Sequence, residues 1–259
     1  MTLLHQLDPQ WLLAVLLVAV RISALLLVTP VLTMSGVPPM VRFLLVAGFA
    51  VALVGGAPDW RSTLPGDFGS VVGAMVSEAM LGATLALGVL ASFACFSVAG
   101  RLLDVQIGFG IGQVFDPVSL RQAPVLTGLF NQLAIFLFFL AGGHYTLLRG
   151  LAYSFRMVTP GAAWQNPDSV TMVIKHAGSM WTLGFALISP VVLCLLLVEF
   201  CLGALARNMP QMNMFAFGIP LKIVIGVAAL ALWLPLMHGP MDRAYALTFS
   251  FWEAVLPNG

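Results

Sequence analysis

Residues 11–28 read WLLAVLLVAVRISALLLV, and only Arg21 and Ser23 interrupt the apolar run. A bilayer's hydrocarbon core takes about 20 consecutive apolar residues in a helix to cross. The stretch is therefore read as a membrane-spanning helix. Asp8-Pro9 supplies its start, because an aspartate accepts free amides and a proline suits the first helical position. The helix is expected to run to about Thr29 and to end before Pro30. The run carries no basic n-region and is longer than an h-region of roughly 7–15 residues, so it reads as a retained helix and not a cleaved signal.

Composition agrees. Of 259 residues, 60% are hydrophobic and 8% charged, whereas a soluble domain carries about 25% charged residues. Too few charges exist to wet a water-facing surface. The apolar residues come in blocks and not in alternation, which favours spanning helices over a barrel. The net charge of +1, from 11 basic and 10 acidic residues, provides no basic patch for nucleic acid. Cys95, Cys194 and Cys201 lie inside apolar segments without CxxC spacing, and read as small core hydrophobes.

Outward from the first helix, residues 33–40, with Gly36, Pro38 and Pro39, read as a loop. A short helix is expected over about Val41–Val54, then a polar loop to Gly66. Phe68–Ala99 is too long for one perpendicular crossing. It must tilt, kink at Gly82 or Gly88, or extend out of the lipid. Residues 100–124 turn polar and glycine-rich and read as a segment away from lipid. Leu126–Leu140 is apolar, Gly142-Gly143-His144 interrupts it, and an amphipathic stretch follows to Tyr153. Asp116-Pro117 and Asn166-Pro167-Asp168 repeat the helix-start pattern. A helix over about Val170–Leu205 contains Pro190, a kink site. Residues 208–213 read as a polar turn, and Met214–Leu236 as the last long apolar stretch. In the tail, Asp242, Arg243, Ala246, Ser250 and Glu253 share one arc of an amphipathic helix. The expectation is an all-α membrane protein of about six long hydrophobic helices, with a glycine-rich irregular loop and a C-terminal amphipathic helix.

Charge does not orient this array. With six crossings and an outside N-terminus, Arg42, Arg101, Arg121, Arg207 and Lys222 fall on one side. Arg61, Arg149, Arg156, Lys175 and Arg243 fall on the other. An even split gives the positive-inside rule nothing to read. It suggests that some apolar helices are not independent crossings.

Arg21, Glu78, Glu199 and Lys222 lie within long apolar segments, where a charge costs about 2.5–3.5 kcal/mol at the helix centre. Ion pairs between helices or subunits, a proton or ion relay, and snorkelling of Glu199 and Lys222 to an interface are the competing readings. Catalysis has little to stand on. There is no HExxH, no GxSxG and no paired aspartates, and His5, His144, His176 and His238 are scattered. Gly108-Phe109-Gly110-Ile111-Gly112-Gln113 only superficially resembles a phosphate loop, since no Gly-Lys-Ser/Thr follows and no strand precedes it. Its glycines cost a helix ~1 kcal/mol each, and irregular backbone at membrane depth survives only when buried in protein or lining a path. Phe109, Ile111, Val114 and Phe115 add bulk beside it. A flexible apolar plug and a packed connector both fit. Met209, Met212 and Met214, in the polar turn and beside it, suit an adaptable contact surface or a plain loop.

Two blocks carry a family resemblance. One is Gly100-x-x-x-Asp104-x-Gln106-x-Gly108-Phe109-Gly110, continuing to Asp116-Pro117. The other is Arg207-x-x-Pro210-Gln211-Met212-Asn213-x-Phe215-x-x-Gly218-x-Pro220-x-Lys222. Gly143-His144 with Ser154-Phe155 is a weaker third. These resemble the FliR family of flagellar type III export-gate subunits, whose injectisome relatives are called SctT. The resemblance covers nearly the whole chain, which is expected to be one export-gate domain over 1–259. It implies a non-enzymatic subunit without cofactor or metal, in the bacterial inner membrane at the flagellar basal body. It further implies a build like a fusion of FliP and FliQ, packed with them into a helical pore for unfolded flagellar substrates. The plug implied by the family maps to about 106–117, and would close the pore together with a methionine ring of FliP. FlhB is expected as a separate protein wrapped around the gate, with FlhA nearby and inner-membrane lipid around the assembly. Asp104, Gln106, Asp116, Pro117 and the second block are the implied subunit contacts. A small secondary transporter coupled through Glu78, Glu199 or Lys222 is the alternative, and a purely structural scaffold a third.

Overall fold

The Asp8 side chain accepts the Gln10 amide at 3.1 Å with Pro9 in the first turn, so α1 (Pro9–Val28) begins where its sequence requires. The computed structural model describes residues 8–33, 36–57, 60, 66–109, 124–164, 166–209 and 214–256. These form α1, a one-turn α2 (Pro30–Thr33), α3 (Pro39–Gly56), α4 (Phe68–Ile107), α5 (Val125–Leu140), α6 (Gly143–Met157), α7 (Ser169–Asn208), α8 (Met214–Trp233), a 3-10 turn (Leu234–Leu236) and α9 (His238–Val255). No strand occurs among the described residues. Among the described residues, five helices are long and apolar enough to cross a membrane, or six if Val125–Leu140 and Gly143–Met157 count as one broken span. The membrane-embedded, all-helical expectation holds.

Several boundaries differ from expectation. α4 does not stop at Ala99: it continues through Gly100 and Asp104 to Ile107, giving 40 residues. Asp104 is satisfied inside the protein, as described below, so it does not end the helix. Gly82 and Gly88 are close-approach points and not interruptions. A Cβ on Gly82 would lie 2.6 Å from the Arg21 carbonyl oxygen, and one on Gly88 2.7 Å from the Phe251 ring. α1 does end before Pro30 as expected, with Thr29 extended, and Pro30 opens a separate helical turn. α7 contains Pro190, as expected, within one continuous helix. The proline leaves the Ala186 carbonyl without its helical donor, and the Ser189 hydroxyl donates to that carbonyl at 3.1 Å.

The chain divides into two compact units. The first comprises Met1–Ala91, Gly142–Ala177 and Ala246–Gly259. Its core holds Leu17, Ile22, Leu25, Leu81, Leu85, Phe155 and Trp252, and α1 packs on α3. The Trp252 indole donates to the Leu85 carbonyl at 3.0 Å. The second unit comprises Ser92–Ala141 and Gly178–Tyr245. Phe93, Phe96, Phe138 and Tyr245 form an aromatic cluster in it. The Tyr245 hydroxyl donates to the Ala134 carbonyl at 2.6 Å, and burial pushes that phenol's pKa up.

α9 is amphipathic as expected. Asp242, Arg243, Ala246, Ser250 and Glu253 are exposed, while Met241, Ala244, Tyr245, Phe251, Trp252 and Val255 are buried. Cys95 is buried, but Cys201 is exposed, which corrects its assignment to a core. It sits on a face of α7 that this chain alone leaves uncovered.

Candidate functional site

The glycine-rich connection is bounded by α4 and α5, and one residue holds both ends. α5 begins after Pro124, which has no side-chain acceptor to offer the free amides of the first turn. Asp104, on α4, takes that role across the fold. Its Oδ1 accepts the Leu126 amide at 2.9 Å, and its Oδ2 accepts the Thr127 amide at 2.9 Å and the Thr127 hydroxyl at 2.7 Å. Its backbone carbonyl accepts the Gly108 amide at 3.2 Å, where the chain leaves α4. Asp104 is 3% exposed. A buried carboxylate needs such charge-assisted bonds, and a helix N-terminus favours negative charge.

Gly100, one turn earlier on α4, completes the fastening. A Cβ there would lie 2.5 Å from the Thr127 Cα and 2.9 Å from its amide nitrogen. Only glycine lets α4 approach the α5 backbone this closely. The Ser97 hydroxyl adds a 2.6 Å bond to Asn131 Oδ1. The spacing Gly100-x-x-x-Asp104 thus places both contacts on one face of α4. Gly108 takes φ +100°, a left-handed conformation that ends the helix.

Gln106 and Ile107, expected at the start of the plug, are helical and close α4. Phe109 is half-buried. Gly110, Ile111, Gly112, Val114, Phe115, Asp116 and Pro117 lie outside the described residues, as do Arg61 and Arg121. Gln106 instead borders an apolar groove of ≈ 580 Å³ walled by Leu102, Phe185, Pro190 and Leu193.

In the second block, Arg207 is exposed near the end of α7. Pro210, Gln211, Met212 and Asn213 lie outside the described residues, and Phe215 is placed only as part of α8. Gly218 packs toward Leu202, whose Cδ1 would lie 3.5 Å from an added Cβ. Pro220 sits inside α8. The Lys222 ammonium donates to Glu199 Oε1, joining α8 to α7 just beyond this turn. Lys222 is the better buried partner.

The other two charges that the sequence places within apolar segments also meet. Arg21 is 0% exposed and Glu78 1%. Arg21 Nε donates to Glu78 Oε2 at 2.5 Å and Nη2 to Oε1 at 3.0 Å. Nη1 donates to the Ser154 carbonyl and hydroxyl, and Nη2 to the Val158 carbonyl. Every guanidinium N–H thus has an acceptor, as a buried charge demands. The Phe155 ring lies 4.2 Å from the guanidinium carbon, within cation–π range. Glu78 Oε1 also accepts the Gly161 amide at 3.0 Å, and Ser77 beside it accepts the Trp164 amide at 2.8 Å. Arg21 and Glu78 therefore pin the chain between α6 and α7.

Motif reading did not select Thr127, Val158, Gly161 or Trp252 as site residues. Thr127 and Val158 act partly through backbone atoms, which carry no sequence signal. Ser154-Phe155, the weakest of the matching blocks, was the available signal for the Arg21 centre. His144, its companion in that block, lies on α6 beside Tyr145. Among the described residues no three His, Cys, Asp or Glu side chains converge on a metal position.

Residues 12–247 match the family described as bacterial export proteins, family 1. The chain is 30% identical to the flagellar biosynthetic protein FliR of Bacillus subtilis over 238 residues, 91% of each chain. It is 26% identical to the flagellar biosynthetic protein FliR of Escherichia coli, covering 89% of this chain and 87% of that one. It is also 26% identical to the secretion system apparatus protein SsaT of Salmonella typhimurium, covering 64% of each. These relatives are components of an export apparatus and not members of an enzyme family. The chain belongs to family 1 of the bacterial export proteins, the family of FliR in flagellar type III export.

Proposed function

We propose that this subunit of a type III export apparatus works in the flagellar system of the bacterial inner membrane. There it joins FliP and FliQ in the pore that passes unfolded flagellar proteins. The segment from Gly108 to Phe115 helps to close that pore. FlhB and FlhA are its expected neighbours. The residues of the second block, Arg207 to Lys222, are proposed as subunit contacts.

One observation carries the reading: Asp104 and Gly100 fasten the two ends of a glycine-rich connection at a single buried point. A segment strung from a rigid base suits a seal. The uncovered apolar surface adds support. The spans Pro39–Gly56 and Ala216–Leu236 are each only 17% buried within the chain. Surface of that kind is covered by lipid or by other subunits.

The test is purification of the tagged chain in mild detergent from its host, with mass spectrometry of what accompanies it. FliP and FliQ homologues in stoichiometric amounts are expected. A lone chain or homodimer, with those homologues expressed, would overturn the gate reading and favour a small transporter. Deletion of residues 108–115 should leave the complex assembled and the membrane leaky to ions. An assembled complex without leak would remove the plug role.

A further inference from the structure

We infer that the outer face of α6 is a docking surface for anionic phospholipid headgroups, whose phosphates Arg149 and Arg156 hold. It requires only that the chain is embedded in a membrane, and stands whether or not the closure proposed above does.

Length and fastening place α6 at the membrane boundary. At 15 residues it is about 22 Å long, short of the ~30 Å of a hydrocarbon core, so it does not cross alone. Its apolar side is used inside the protein, where Leu147, Leu151 and Phe155 are buried in the first unit. Arg21 of the membrane-spanning α1 donates to the Ser154 and Val158 carbonyls, which ties down the C-terminal end of α6. Arg21 stands seven residues before the end of α1 at Val28, about 10 Å at 1.5 Å per residue. Helices that lie in the interface sit about 5–10 Å into the boundary between headgroups and acyl chains. With its apolar side already covered, α6 meets headgroups with its outer face.

That face has the composition of such a boundary. Tyr145, Arg149, Tyr153 and Arg156 follow one another at intervals of three or four residues, with Leu148 beside them, and all are exposed. α6 carries no Asp or Glu, and neither arginine is joined to a carboxylate among the described residues. The helix dipole favours a cation in the last turn, which accounts for Arg156 alone; Arg149, in mid-helix, has no such reason. A face that met only water would have no use for Tyr145 at 66% exposure beside an exposed leucine. Tyrosines interleaved with arginines belong to the membrane–water interface, and a guanidinium fork pairs with phosphate oxygens. Glu253 of α9 lines a groove of ≈ 210 Å³ with Arg149 and Tyr153. Two cations against this anion leave the face positive, which selects an anionic headgroup over a zwitterionic one.

The test uses the full chain in its assembled complex, purified in mild detergent. The complex is titrated with phosphatidylglycerol, phosphatidylethanolamine or phosphatidylcholine, and native mass spectrometry counts the bound lipid. Phosphatidylglycerol is expected to be retained in preference to the other two. Arg149→Gln and Arg156→Gln should each weaken its retention about fivefold, and the two together about twenty-five-fold, from the attraction of each basic residue to anionic lipid. Arg149→Lys and Arg156→Lys keep the charge and should lose less. Arg243→Gln, which removes an exposed cation of α9, should change nothing. Subunit recovery and the denaturation midpoint without added lipid should be the same in every variant. No preference for phosphatidylglycerol in the unaltered complex overturns the inference. So does a preference that survives the double substitution, or one that Arg243→Gln weakens equally. Equal retention of phosphatidylethanolamine would show a zwitterionic headgroup held between Arg149 and Glu253, and the anionic assignment falls. Lipid loss that tracks a lowered midpoint would make the arginines merely structural, with the same result.

Discussion

Arg21 shows what an arginine needs in order to sit at zero exposure. Each guanidinium N–H is matched to Glu78, Ser154 or Val158, and the ring of Phe155 covers one side. Breaking a buried pair by removing one member leaves an uncompensated charge and costs about 3–5 kcal/mol. Glu78→Ala is therefore expected to lower the denaturation midpoint in detergent by an amount corresponding to that range. Arg21→Lys should be nearly as damaging, since a lysine offers three donors without the planar fork. The double variant Arg21→Met/Glu78→Leu should recover much of the loss, because no charge remains buried. A double variant as unstable as Glu78→Ala would show that the guanidinium matters for its neighbours' carbonyls and not for its charge. The sequence marked both charges as anomalous, because apolar runs do not carry them without cause. It could not mark the Ser154 and Val158 carbonyls, which every residue possesses.

At the scale of elements, α4 shows why composition misplaces a helix end. Gly100, Arg101, Asp104 and Gln106 look like the polar exit from a membrane helix. In the structure Asp104 is turned inward to the start of α5, and Gly100 lies against the same turn. A tertiary contact, invisible to any local window, sustains the helix to Ile107. Gly100→Ala should force the two helices apart and cost about 1–3 kcal/mol by overpacking. Gly128→Ala is the control one residue beyond Thr127. Open space surrounds an added Cβ there, so relief of glycine's helical penalty should gain about 0.5–1 kcal/mol. Thermal denaturation of the two variants checks the opposite signs. α7 offers a second comparison. The Ser189 hydroxyl serves the Ala186 carbonyl that Pro190 deprives of its donor. Ser189→Ala should cost about 1 kcal/mol alone. In a Pro190→Ala background, which restores the helical N–H, the cost should nearly vanish, a coupling that a double-mutant cycle reads directly. Equal costs in both backgrounds would show that the hydroxyl is not substituting for the missing amide.

At the scale of the whole molecule, burial is uneven in a way composition could not foretell. The most membrane-like window of Phe68–Ile107 is 56% buried within the chain, that of Ser169–Asn208 only 22%. Both helices have 40 residues, about 60 Å at 1.5 Å per residue, roughly twice a bilayer's hydrocarbon core of ~30 Å. Lipid cannot cover the full length of either helix if it stands near the membrane normal. The even division of basic residues between the two sides pointed the same way, since it denied the helices a simple orientation. Uncovered apolar positions therefore belong to partner contacts as well as to lipid. Leu232 on α8, 80% exposed, tests which one applies. On a water-facing surface, Leu232→Glu would change stability by no more than about 0.5 kcal/mol. Against lipid, the charge should cost up to about 2.5–3.5 kcal/mol and reduce accumulation of the chain in the membrane. Against a partner, the chain should still accumulate but lose co-purified subunits. The partner outcome is expected, because α8 is also the helix tied to α7 by Lys222 and Glu199 beside the Arg207–Lys222 block. Quantifying membrane-inserted chain and recovered subunits from the same cells distinguishes the three cases. Glu253→Gln, on the exposed polar face of α9, should leave both unchanged. An unaltered Leu232→Glu complex would place that face in water, and the membrane assignment of α8 would have to be withdrawn.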